Sequence, residues 1–311
     1  MLNKNLKIFI AGHKGMVGSS CWRKFNDLGF KNLIGVSRKE LNLTNQFDVY
    51  SFFRDKKPDI VIDAAARVGG IWANNEYAYE FLMENMLIQN NLINASLINE
   101  VSKFVFLGSS CIYPKNAPQP INEDYILTSS LEKTNESYAL AKITGVKLCE
   151  SIFTKQSKQF ISLMPTNLYG PNDNFDLKTS HVLPAMIRKF HEAKIYNKQN
   201  VELWGDGSPI REFMYVDDLV DAILSVCENK MDSYIYNIGS GIEISISQLA
   251  DLIKNIISFK GNVVWKKEMP NGTPRKFLNS DRIKKYGWRS NTNIIEGIEK
   301  TYNWYINNVL N

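Results

Sequence analysis

Short runs of β-branched and other apolar residues punctuate the first half of the chain, near 6–11, 33–37, 59–63, 103–108 and 159–164. Each has the length of a buried strand, and the intervals leave room for helices. The clearest helical stretch spans 78–100, where Phe81, Met86, Ile88, Leu92, Ile93 and Leu97 form one broad apolar stripe. Strands alternating with helices predict an α/β fold built on a doubly wound parallel sheet. Such sheets bind ligands beyond the carboxyl ends of their strands, so the residues after 11, 37, 63, 108 and 164 are the ones that matter for function.

Past residue 170 the alternation weakens. Gly170-Pro171-Asn172-Asp173-Asn174 and Gly205-Asp206-Gly207-Ser208-Pro209 mark turns between shorter elements, which predicts a smaller, mixed α/β lobe. The segments 216–228 and 235–238 are expected to return to the first sheet. The division expected is therefore 1–170 as a dinucleotide-binding domain, completed by parts of 213–240, with 171–311 mainly a substrate lobe. The sequence holds no internal repeat and no low-complexity tract.

Composition narrows the class. Hydrophobic residues at 44% and charged residues at 22% exclude a disordered or fibrous chain, and 311 residues exceed the usual size of a single core. The sequence contains no run of eighteen apolar residues, so no transmembrane helix is expected. The opening run Lys7–Ala11 is too short for a signal-peptide core, which points to the cytoplasm. Cysteines 21, 111, 149 and 227 are too widely spaced for a zinc site or a disulfide framework; no metal is expected. The net charge of +5 is mild. Its basic excess between Lys260 and Arg289 reads as a solvated face, and no nucleic-acid-binding module accompanies it.

After the first strand comes Gly12-His13-Lys14-Gly15-Met16-Val17-Gly18, with a helix predicted from about Gly15. Between a strand and a helix, such a loop supplies a tight turn, close backbone approach to a pyrophosphate and a helix N-terminus that stabilises negative charge. The second strand runs into Val36-Ser37-Arg38 with no acid at its end. Arg38 together with Lys14 is placed to clamp a 2′-phosphate, which favours NADP(H) over NAD(H).

Downstream, Leu107-Gly108-Ser109-Ser110-Cys111 sets two hydroxyls and a thiol at the end of the fourth strand. Tyr138 and Lys142 stand four apart, hence on one helix face. The ordinary phenol titrates near 10 and is a weak catalyst at neutral pH; an adjacent ammonium favours its ionised form. The expectation is that Lys142 plays that part and that Ser109 bonds a substrate carbonyl oxygen.

With these features in place, the chain resembles the extended short-chain dehydrogenase/reductases over almost its whole length, and within them the epimerase-reductases of GDP-sugars. Beyond the glycine loop and the Tyr138/Lys142 pair, the resemblance rests on Ala64–Ile71, Gly108–Lys115, Met164–Pro171, Asp173-Asn174-Phe175, Ser180-His181-Val182, Trp204-Gly205 and Gly272–Lys276. It implies a GDP-linked 4-keto-6-deoxy sugar as substrate and a homodimer as the assembly. It also implies that Cys111 and His181 exchange protons at C3 and C5, after which Tyr138 protonates the reduced C4 oxygen. Leu107, Gly108, Pro165, Thr166, Asn167, Leu168 and His181 would line the cofactor, and Lys189, Trp204, Arg211 and Lys276 the GDP-sugar. Asn271 departs from the pattern, which has Asp there. Two other readings compete: a C4 reductase of another GDP-4-keto-6-deoxy sugar, such as a heptose, and a non-catalytic dinucleotide-binding protein. His191 reads as structural, Cys149 as packing, and Asp217 and Asp218 as helix caps.

Overall fold

A computed structural model describes residues 2–310. The first half runs β1 (Lys7–Ala11), α1 (Met16–Asp27), β2 (Asn32–Ile34), α2 (Gln46–Lys56), β3 (Ile60–Asp63), α3 (Ile71–Glu76), α4 (Ala78–Ile98), β4 (Lys103–Leu107), α5 (Glu136–Gln156) and β5 (Gln159–Pro165). There follow β6 (Asn167–Tyr169), α6 (Val182–Ile195), β7 (Asn200–Trp204), β8 (Ile210–Tyr215), α7 (Val216–Glu228) and β9 (Ile235–Ile238). The chain ends through β10 (Glu243–Ser245), α8 (Ile246–Ile257), β11 (Asn262–Lys266), β12 (Arg275–Lys276), α9 (Asp281–Lys284) and α10 (Ile294–Asn308).

The main sheet has the order β2-β1-β3-β4-β5-β9, and all of its strands are parallel. Burial on both faces explains why its strands read as continuous apolar runs rather than alternating ones. One face packs α2, α4 and α5 around Phe9, Phe53, Val61, Phe104 and Phe106. The other packs α1 and α7 around Ile8, Ile10, Phe25, Ile62 and Leu219. Each such fully buried side chain contributes roughly 1.5–3 kcal/mol of transfer free energy. The segment 216–228 forms α7, and β9 pairs with β5, so chain from beyond residue 170 does enter the main sheet.

Remaining strands form β10-β8-β12, with β6 also on β8, and a separate β7·β11 pair. Their core is Tyr169, Phe190, Leu203, Phe213, Leu249 and Ile253, closed by α6, α8 and α10. A capping box starts α8: Ser245 accepts the Gln248 N–H, and the Gln248 side chain returns to the Ser245 N–H.

Several local expectations are revised. β2 stops at Ile34, so Val36-Ser37-Arg38 lies in the connection that follows the strand. Asp217 and Asp218 lie in the first turn of α7 and leave the cap to Tyr215. They hold other elements instead: Asp217 pairs with Arg23 of α1, and Asp218 accepts from Ser290 and Thr292. His191 meets the Tyr302 hydroxyl at 2.9 Å on the side of the lobe core, and Cys149 is fully buried. Part of the basic stretch is neutralised by ion pairs, through Lys266–Glu202, Arg275–Glu243, Arg282–Asp124 and Lys284–Asp281. Among the described residues, no helix is long and apolar enough to cross a membrane, and no cluster of three or more His, Cys, Asp or Glu is arranged to hold a metal.

Candidate active site

The glycine loop closes tightly over the end of β1. Gly12 has φ +75, a Cβ there would stand 2.7 Å from the Ala64 oxygen, and a Cβ at Gly18 would overlap the Gly12 carbonyl. Gly15 caps α1 without any side-chain hydrogen bond, leaving the first N–H groups of Met16, Val17 and Gly18 to an anionic ligand. The loop thus fits a dinucleotide pyrophosphate. His13 turns its ring onto Trp22, with centroids 5.6 Å apart, and fills the space beside Gly35.

Arg38 is exposed and stands 3.8 Å from Glu84, which binds Arg67 more closely at 2.7 Å. An acid missed in the sequence reading sits just beyond: Glu40 accepts the Ser37 N–H at 2.7 Å, and Lys14 and His13 add to the hydrogen bonds that hold its carboxyl below the ordinary range. The Arg38 connection is therefore pinned from inside by an acid that lies close to Lys14.

At the end of β4, Gly108 packs on the tip of Met164, which a Cβ there would have to displace, and its N–H donates to the Leu163 oxygen at 2.9 Å. The Ser109 hydroxyl accepts the Cys111 N–H at 3.2 Å, which leaves its own proton free to donate. Lys142 donates to the Leu107 oxygen at 2.8 Å and lies 4.8 Å from the Phe106 ring centre and 5.9 Å from that of Tyr138. Close packing of Gly145 on Phe106 lets α5 approach the sheet there.

The electrostatics of the pair differ from the sequence expectation. Burial pushes the Tyr138 phenol well above its ordinary value, and Cys111 and Asp63 add to the shift. The Lys142 ammonium is committed to Leu107 instead of the phenol oxygen, so Tyr138 is held as a neutral proton donor. Lys142 itself is pushed down to about 8 by burial, with Asp63 opposing. Asp63, absent from the sequence-derived candidates, is pushed up to about 6 by burial, with Lys142 opposing.

Cys111 is half-buried among cations and donors. Asn135 points its amide at the sulfur at 3.2 Å, and the Lys276 ammonium stands 3.9 Å away. Lys276 and Arg211 are direct Cα partners of β12 and β8, which sets the two cations side by side. Burial lowers the Arg211 pKa, and Cys111 partly offsets this. His181 occupies the N-cap position of α6, its side chain making no capping hydrogen bond. The residue is exposed, and desolvation by the surrounding protein lowers its pKa, favouring neutral imidazole. The chain brings it to the sheet edge because Gly70 donates to the Thr179 oxygen at 2.8 Å.

Other candidates serve partly as scaffold. Pro165 ends β5 and Leu168 lies within β6, while Thr166 and Asn167 both donate side-chain hydrogen bonds to the Glu212 carbonyl. Lys189 donates to the Glu202 oxygen at 2.9 Å, and Trp204 is 44% exposed at the end of β7. Asn271 accepts the Asp206 N–H at 3.0 Å, so the residue that departs from the family pattern closes the 205–206 turn.

Known proteins resemble the chain over nearly its whole length. The NAD dependent epimerase/dehydratase family matches residues 8–239. GDP-L-fucose synthase 1 of Arabidopsis thaliana is 50% identical over 311 residues, covering 100% of this chain and 96% of its own. A GDP-6-OMe-4-keto-L-xylo-heptose reductase from Campylobacter jejuni superimposes with TM-score 0.93 at 36% identity, covering 98% of this chain and 99% of that one. A GDP-L-fucose synthetase from Naegleria fowleri bound to NADP gives TM-score 0.91 at 26% identity, covering 100% and 95%.

Proposed function

The chain belongs to the NAD dependent epimerase/dehydratase family, and from that premise we propose that it converts GDP-4-keto-6-deoxy-D-mannose to GDP-L-fucose with NADPH. The observation that carries this reading is the placement of Cys111 beside Lys276, Asn135 and Arg211 on the loop that also carries Ser109. A plain ketone reductase needs the hydroxyls and the lysine, but has no use for a thiol held among cations.

In this mechanism Ser109 donates its free proton to the C4 keto oxygen, which acidifies the protons on C3 and C5 and stabilises enolate charge. Cys111 and His181 remove and return those protons, the imidazole acting from its neutral form and the sulfur supported by Lys276. NADPH, when bound, supplies hydride to C4. Tyr138, held protonated by burial, gives its proton to the C4 oxygen. Arg211 lies next to the sugar, and Lys189 and Trp204 contribute to holding the GDP. Residues 1–170 with parts of 213–240 form the cofactor domain, and 171–311 mainly the substrate lobe.

The reading includes a homodimer, supported by apolar residues left open on the two long helices, Met83 and Leu87 on α4 and Leu140 on α5. Four free cysteines agree with a cytoplasmic setting.

A second reading is supported by the heptose reductase's TM-score of 0.93: C4 reduction of another GDP-4-keto-6-deoxy sugar. Incubation with GDP-4-keto-6-deoxymannose and NADPH in deuterated water separates the two. GDP-L-fucose labelled at C3 and C5 is the expected product. Reduction without label would assign the chain to the C4 reductases, and no turnover would exclude this substrate.

A further inference from the structure

Asp63 closes β3 with only 1% of its surface exposed. Its Cα pairs with Ala11 of β1 and Phe106 of β4, so its carboxylate lies on the face covered by α4 and α5. One oxygen accepts the Ala65 N–H at a long 3.3 Å; the other is buried without a hydrogen-bond partner. Buried polar atoms are ordinarily paired, and an ionised one all the more so. The cation on this face is Lys142. Its ammonium sits 4.8 Å from the ring of Phe106, the residue paired with Asp63 across the strands. Lys142 spends one donor on Leu107, and an ammonium has three.

The titratable groups facing Asp63 come from α5: Lys142, Tyr138 and the Cys149 thiol. Burial pushes the phenol and the thiol up and keeps both neutral, while β1 and β4 present Ala11 and Phe106. Carboxylate and ammonium thus face each other across an apolar floor with little water to screen them. Neither charge persists easily there without the other.

We propose that Asp63 is the positioning residue of the reducing pair, a buried counter-ion beneath the site that keeps Lys142 charged and oriented below Tyr138. This rests on Tyr138 and Lys142 being the reducing pair. It also accounts for an acid at the end of an otherwise apolar parallel strand, where packing alone would favour an aliphatic side chain. The acid touches neither the substrate nor the reacting atoms in this scheme; it acts through the lysine.

The test is the pH dependence of kcat and of kcat/KM for wild type, Asp63→Asn and Lys142→Met. Lys142 must carry its proton, and its pKa of about 8 already includes the help of Asp63. Removing the carboxylate lowers that pKa further, so the alkaline limb moves down by about one pH unit or more in Asp63→Asn. A limb at the wild-type pH in a folded Asp63→Asn protein overturns the inference. Should that variant fail to fold, NMR of the wild type with 13C-labelled lysine decides. The Lys142 Cε signal, identified by its loss in Lys142→Met, should show a second inflection near pH 6 as Asp63 titrates; a single-step titration overturns the pairing. Full NADPH oxidation by Lys142→Met would instead sink the reading of the pair itself. Loss of activity in Lys142→Met with an unmoved Asp63→Asn profile sinks only the role of Asp63.

Discussion

The ammonium of Lys276 stands 3.9 Å from the sulfur of Cys111, although the two residues are 165 positions apart in sequence. In the proposed mechanism Lys276 therefore has a use beyond the diphosphate suggested by the family pattern, since its charge lies next to the sulfur that exchanges a proton. Half-exposed, the pair is screened by water, and a contribution of about 1 kcal/mol or less is reasonable. Lys276→Met should slow deuterium wash-in at C3 and C5 by up to about fivefold, read by NMR of the GDP-sugar, while NADP binding holds. Unchanged wash-in would return Lys276 to the diphosphate.

Tyr138→Phe removes one hydroxyl and leaves the ring against Phe81, with centroids 6.1 Å apart, so the fold should persist. NADPH oxidation should drop by about 10²–10⁴ because no neighbouring acid replaces the phenol. Deuterium exchange at C3 and C5 should survive, since Cys111 and His181 do not depend on that hydroxyl. Equal loss of both activities would place Tyr138 in the epimerisation as well.

Features set by neighbouring residues were legible in the sequence. The strand–glycine–helix succession from Lys7 to Gly18 is local chemistry, and the Tyr138/Lys142 spacing is a property of any helix. The return of 235–238 to the main sheet is expected from the sequence, but its pairing with β5 is settled by packing between distant segments. Long-range electrostatics were not legible. Cys111 could be picked out by its motif, but its neighbours Asn135 and Lys276 come from other elements. Asp63 ends a predicted strand, but its interest depends on the burial contributed by α5. The sense of the Tyr138 shift is not legible in the sequence for the same reason, since the direction of the Lys142 ammonium follows from the Leu107 carbonyl.

Arg38 offers a test of cofactor choice. Its guanidinium is held loosely by Glu84 at 3.8 Å while Arg67 takes the shorter contact at 2.7 Å, so Arg38 is free to meet a 2′-phosphate at small cost. A charge-assisted bond of this kind is worth about 1.5–3 kcal/mol, less when exposed. Arg38→Ser should raise the KM for NADPH by about tenfold and leave that for NADH nearly unchanged. A rise for both cofactors would place Arg38 on a part of the dinucleotide that the two share.

Glu212 ties the lobe to the main sheet, and its titration should be visible in stability. It is fully buried; its carboxylate accepts the Gly241 N–H at 2.7 Å and the Leu278 N–H at 3.2 Å. Burial nevertheless dominates and pushes its carboxyl up to about 7, above the value near 4.3 of an unfolded chain. Across that window the folded protein binds more protons than the unfolded one. The stability due to this group is complete below about pH 4.3 and is lost as the pH rises through 7. Glu212→Gln abolishes the titration. Urea denaturation of both proteins from pH 5 to 8 should show the wild type losing on the order of 2 kcal/mol relative to the variant as pH rises. A constant difference across the range would mean that the hydrogen bonds from Gly241 and Leu278 outweigh burial and keep Glu212 ionised throughout.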